Sequence, residues 1–133
     1  MILWIEDDSI RLDGMIEPLI QLDYRIERAI NVKEANYALD KFKDNIKLII
    51  LDLILPSGEM TDIIDNRFLG LEFLRNIRGM GIQIPVIVFT VVEDLEINEE
   101  LKRKLGVRKV LFKGRLLPKE LKKEVERIYR KEN

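Results

Sequence analysis

The 133-residue sequence contains no cysteine and no histidine. Without cysteine there is no disulfide and no thiolate nucleophile or metal ligand. Without histidine the usual general base, the commonest zinc ligand and any His-dependent triad are gone. Any chemistry falls to carboxylates, hydroxyls, lysines or a hard cation. No charge of one sign dominates: 23 Lys and Arg face 24 Asp and Glu, for a net charge of −1. No overall basic field therefore draws the chain to nucleic acid. No apolar run approaches the ~20 residues of a membrane helix. The apolar start Met1-Ile2-Leu3-Trp4-Ile5 is stopped by Glu6-Asp7-Asp8, so neither a signal peptide nor a membrane partner is expected. The absence of cysteine suits a reducing compartment, and a cytoplasmic location is expected.

What is present is 47% hydrophobic and 35% charged residues. That balance suits one soluble globular domain over residues 1–133. The run Leu48-Ile49-Ile50-Leu51 shows no alternation, as in a strand buried on both faces of a helix-covered sheet. Asp52 stands at its end, and Pro56 closes the stretch. Ile2 to Ile5 reads as another buried strand, Tyr24 to Ile30 as an alternating edge strand, Pro85 to Phe89 as a fourth strand and Arg108 to Phe112 as a fifth.

Helices are predicted between them. The first runs from Ser9 to Leu22, capped by Asp8 or Ser9, with Ile10, Met15, Ile16, Leu19 and Ile20 as its apolar face and Pro18 kinking or shortening it. The second starts at Asn31 with Glu34 three residues on, a form of capping box. The third spans Phe68 to Arg78 and is stopped by Gly79 and Gly81. The fourth spans Leu95 to Leu105 and closes at Gly106, and the last runs from Pro118 to about Lys131. Lysines and arginines of this last helix are interleaved with glutamates, which fits a solvated face better than a nucleic-acid surface. Five βα repeats imply a parallel α/β sheet with helices on both faces and right-handed crossovers; strand order 2-1-3-4-5, that of the flavodoxin-like (βα)5 three-layer sandwich, is one of the common doubly wound orders open to such a chain.

The carboxyl ends of the strands carry the chemistry. The first supplies Glu6, Asp7 and Asp8, the third Asp52, the fourth Thr90 and the fifth Lys113. In that strand order these residues converge on one crevice. Clustered carboxylates suit a hard divalent cation such as Mg²⁺. A carboxylate can attack phosphorus to give an aspartyl phosphate, and a metal, a lysine and a hydroxyl can neutralise or bind the phosphoryl oxygens.

With these residues assembled, the chain resembles the receiver domain of two-component response regulators over essentially its whole length. The resemblance implies a phosphorylation-controlled switch rather than a turnover enzyme, with self-phosphorylation and slow self-dephosphorylation only. Asp52 matches the phosphoacceptor, Thr90 the switch hydroxyl and Lys113 the lysine that contacts the phosphoryl group. Asp7 matches the direct Mg²⁺ ligand, Glu6 its partner acting through water, and the Ile54 carbonyl a further metal ligand. Asp8 has no necessary role beyond capping. The implied donor is a sensor histidine kinase, a phosphotransfer protein or a small phosphodonor. The implied response alters the face formed by the fourth helix, fifth strand and fifth helix. A downstream protein partner, and a monomer or a phosphorylation-linked homodimer, complete the expectation. Nothing after Lys131 reads as an output domain, so a stand-alone receiver is expected.

Departures from the family pattern are specific. Val91 replaces the usual small residue after Thr90, where a branched side chain narrows access to Asp52. Gly114 replaces the usual cis-proline after Lys113. Val110 occupies the position of the switch aromatic. An insertion at about 57–67 lengthens the connection to Gly70-Leu71-Glu72, as a lid, a recognition loop or a mobile solvated loop. Ile54 and Val92 flank the path of the hydrolytic water with side chains that cannot orient it, so a long-lived phosphoryl state is expected. These departures leave a second reading, a degenerate receiver acting as a phosphorylation-independent interaction module. A hydrolase with an aspartyl nucleophile ranks last, because Ile54 stands where its second acid belongs.

Overall fold

The computed structural model describes residues 1–59 and 68–132. Five parallel strands form one sheet in the order β2-β1-β3-β4-β5. They are β1 (Ile2–Ile5), β2 (Ile26–Ala29), β3 (Leu48–Leu51), β4 (Val86–Thr90) and β5 (Lys109–Phe112). Every residue of β1, β3 and β4 is buried, which is why these stretches show no polar alternation. Alternate residues serve two cores. Leu3, Ile5, Ile49, Leu51 and Val88 face one cluster with α2 (Val32–Phe42) and α3 (Leu69–Gly79). Ile2, Trp4, Leu48, Ile50 and Phe89 face the other with α1 (Asp13–Gln21) and α5 (Pro118–Glu132). The fourth helix, α4, begins as an α-helix over Leu95–Glu99. This is the doubly wound arrangement that the five βα repeats predict.

Three local expectations need correction. The first helix starts at Asp13 rather than Ser9, and neither Asp8 nor Ser9 caps it; Leu12 holds the N-cap position without a side-chain bond. Residues 7–12 form successive turns, with the Leu12 N–H donating to the Asp8 carbonyl at 3.1 Å. Ile10 is 87% exposed, so Ile16 and Leu19 carry the buried face without it. Pro18 lies inside the helix, where it has no N–H to offer the Gly14 carbonyl. The second strand is shorter than Tyr24 to Ile30, and Tyr24 instead meets the Tyr129 ring edge-on at 4.8 Å.

The fourth helix is not uniformly α. It continues as a π-helical turn over Glu100–Lys104, with the Leu105 N–H reaching the Glu100 carbonyl at 3.0 Å. Ile97, Leu101 and Leu105 recur every fourth residue, a longer period than the 3.6 of an α-helix, and the wider turn keeps them on one side. Arg75 of α3 grips Glu100 through Nε and Nη2 at 2.6 and 2.7 Å.

The cap of α2 forms as predicted. Asn31 Oδ1 accepts from the Glu34 N–H at 2.7 Å, while the Glu34 carboxylate accepts from Ile30 N–H at 3.1 Å. The first amides of α2, at Val32 and Lys33, donate to the Pro56 and Ser57 carbonyls, each at 3.0 Å. The beginning of the predicted insertion is thereby fastened to α2; its remainder, 60–67, lies outside the described residues.

Candidate functional site

The site grows out of the strand register. Ile5 at the end of β1 pairs with Leu51 at the end of β3, so the next residues, Glu6 and Asp52, leave the sheet side by side. The Asp52 N–H still donates to the Ile5 carbonyl at 3.1 Å, and the Glu6 N–H to the Ala29 carbonyl at 2.9 Å. On the other side Thr90 pairs with Phe112, and the Lys113 N–H donates to the Thr90 carbonyl at 2.9 Å. Four strand ends therefore open onto one crevice, the place where open α/β sheets put their ligands.

Lys113 organises it. Its Nζ lies 2.7 Å from Asp52 Oδ2 and 2.7 Å from Glu6 Oε1. The Asp52 contact is a hydrogen bond. The Glu6 contact has the length of an ion pair, but among the described residues Oε1 has no aligned hydrogen-bond donor. Glu6 and Asp52 side chains are only 1% and 4% exposed, Lys113 15%. Asp52 Oδ1 accepts from the Ile54 N–H at 3.2 Å, and Glu6 Oε2 from the Asp8 N–H at 3.2 Å.

Burial pushes the Glu6 carboxyl up to about 7, with the Asp52 charge adding to it and Lys113 opposing it. Burial pulls Lys113 down, but its hydrogen bond to Asp52 and its ion pair with Glu6 outweigh this and raise it overall. The causes differ: Glu6 rises chiefly because burial disfavours its charged form, whereas Lys113 rises because its carboxylate partners favour its charged form against burial.

Asp7 completes the cluster from the surface. Ligand atoms of Glu6, Asp7 and Asp52 lie within 4.8 Å of one another. Three carboxylates against one lysine leave two formal negative charges, and Glu6 Oε1 lacks an aligned donor. That donor set, all hard oxygen, fits Mg²⁺.

The remaining predicted residues take defined places. Thr90 is fully buried, and its Oγ1 accepts from the Val92 N–H at 3.3 Å. Ile54 is at the surface and directs its amide at Asp52, a contact that the sequence did not signal. Asp8 neither caps α1 nor joins the carboxylate cluster; its side chain stands 3.6 Å from Arg11. Val91 is 60% exposed. Gly114 turns the chain with φ +82° and no cis peptide bond, a conformation open to glycine and closed to proline. Val110 is half-buried against the α3 side of the core.

The profile of the response regulator receiver domain matches residues 2–126. A transcriptional regulatory protein CpxR homolog of Haemophilus influenzae is 29% identical over 106 residues, 79% of this chain. The chain spans 38% of the length of that relative. Among solved structures, the signal receiver domain of a putative LuxO repressor protein from Vibrio parahaemolyticus superposes with a TM-score of 0.78 at 22% identity. That match covers 98% of this chain and 89% of the other. A CheY-like receiver domain protein from Methanospirillum hungatei gives 0.76 at 22% identity, over 98% and 94%. No described helix is long and apolar enough to cross a membrane.

Proposed function

This chain belongs to the response regulator receiver domain family, and we propose that it is a phosphorylation-controlled switch whose phosphoacceptor is Asp52. The observation that carries this reading is the buried Glu6–Lys113–Asp52 arrangement, completed by Asp7. A nucleophilic carboxylate held beside a cation, with surplus negative charge around it, suits metal-assisted phosphoryl transfer.

Asp7, Asp52 and the Ile54 carbonyl would hold Mg²⁺ directly, with Glu6 acting through water. When bound, Mg²⁺ supplies the positive charge that offsets the carboxylates and the incoming phosphoryl group. The chain's own residues do the rest. An Asp52 oxygen forms the new P–O bond while the donor's bond to phosphorus breaks and its electron pair leaves with the donor. Lys113, already 2.7 Å from Asp52, neutralises the oxygens that arrive. The Thr90 hydroxyl keeps its proton to donate to one of them. The donor is a sensor histidine kinase, a phosphotransfer protein or a small acyl phosphate, and the response passes to a downstream protein by the face of α4, β5 and α5.

Calorimetry tests the site without phosphorylation. Wild-type protein is expected to take up one Mg²⁺, and D7N to lose at least tenfold in affinity. No heat from the wild type, with its fold intact, would favour the phosphorylation-independent module, the reading to which Val110 and Gly114 point. The phosphoryl state is expected to be long-lived, because Ile54 and Val92 offer no side-chain polar group to orient water. Loss of radiolabel within seconds in Mg²⁺ buffer would contradict this.

A further inference from the structure

Gly70, in the first turn of α3, packs its backbone directly on the backbone that follows the acceptor strand. Its N–H donates to the Leu53 carbonyl at 2.9 Å. A Cβ at this position would fall well inside van der Waals contact distance of the Asp52 carbonyl oxygen, and would stand 2.8 Å from Leu53 Cα and 2.9 Å from Leu53 C. All three atoms are main chain, so no rotamer change relieves the overlap. Gly70 does not have positive φ, so the requirement for glycine here is one of approach and not of backbone conformation.

Something would have to move if a methyl were added, and the neighbours decide what. α3 is anchored along its length by buried Leu71, Phe73, Leu74 and Ile77. Arg78, near its end, donates to the Leu105, Ile82 and Ile84 carbonyls at 2.8, 2.9 and 2.9 Å. Residues 52–54 lie beyond the end of β3, held by the Asp52 N–H bond to the Ile5 carbonyl and by buried Leu53. With both sides of the contact fixed, strain would pass into the turn that carries the Asp52 carboxylate, the Ile54 amide bonded to it and the Ile54 carbonyl.

We infer that Gly70 is a positioning residue for this site: it lets α3 press on the Asp52–Leu53 backbone and so fixes the acceptor carboxylate and the Ile54 carbonyl relative to Asp7. The inference rests on the metal-dependent reading above.

The test compares Gly70→Ala with Gly79→Ala, which lies in the same helix with open space around its Cβ. Mg²⁺ affinity is measured by calorimetry at a temperature where circular dichroism shows both variants folded. G70A is expected to bind Mg²⁺ about 10–100-fold more weakly, as for loss of a group supporting metal ligands, with G79A unchanged. Equal affinity in folded G70A and wild type would overturn the inference alone. A wild type that does not bind Mg²⁺ would overturn the metal-dependent reading and this inference with it. Should G70A not fold, the wild type decides by NMR. The Gly70 amide resonance is expected to move with Mg²⁺ at the same midpoint as that of Ile54 while Gly79 stays fixed. A Gly70 resonance that does not respond would overturn the inference.

Discussion

Replacing Lys113 with methionine is expected to lower the melting temperature of the protein in EDTA at pH 8 by roughly 10 °C, the equivalent of about 3 kcal/mol. The lysine is the cation that Glu6 and Asp52 share, at 2.7 Å from each. Both carboxylates are buried, and removing their counter-charge leaves them without compensation. The effect should depend on pH in a definite direction. Glu6 is raised from 4.5 to about 7, chiefly by burial. Between those values the folded protein holds a proton that the unfolded chain has released, so stability falls as pH rises through that window. At pH 5 Glu6 is neutral, one of the two charges that need Lys113 is absent, and the penalty of K113M should shrink. Scanning calorimetry at the two pH values measures both. A K113M protein that melts with the wild type at pH 8 would contradict this electrostatic account.

The second large effect lies away from the crevice. Arg78→Met is expected to destabilise the fold by about 3 kcal/mol, roughly 1 kcal/mol for each carbonyl left without its donor. The guanidinium joins the end of α3 to the loop before β4 and to the close of the fourth helix through Ile82, Ile84 and Leu105. Burial, then Arg108, lowers its pKa, yet a guanidinium stays charged under all ordinary conditions. Arg75→Met breaks a shorter, bidentate contact to Glu100, but Arg75 is well exposed and Glu100 partly so, and the loss should stay below about 1 kcal/mol. Urea unfolding separates the two: the midpoint of R78M should fall much further than that of R75M, with unchanged slope. Equal midpoints would show that the three carbonyls find other partners.

The contrast between those arginines marks where sequence reasoning stops. The strands were legible because β1, β3 and β4 are buried on both faces, and unbroken apolar runs such as Leu48 to Leu51 have few other uses. The crevice was legible because a parallel doubly wound sheet brings its strand ends together, so Glu6, Asp7, Asp52, Thr90 and Lys113 could be collected without knowing a distance. The start of α1 was misread because Ile10 fits a helical period that the chain does not use. The π turn was hidden because its four-residue apolar spacing also fits an ordinary helix within two turns. Arg78 resembles any basic residue near a helix end until the three carbonyls facing it are known. Gly70 resembles a flexible position until the Asp52 carbonyl is found against it. Each of these depends on what lies across the fold, which local pattern does not encode.

The central claim is that Asp52 accepts a phosphoryl group with the help of Mg²⁺, and intact mass spectrometry tests it most directly. The protein is incubated with acetyl phosphate and Mg²⁺ beside an Asp52→Asn control. The account predicts a single phosphoryl adduct on the wild type, none on D52N, and none on the wild type in EDTA. An adduct that persists in D52N, or one that forms equally well without Mg²⁺, would contradict it.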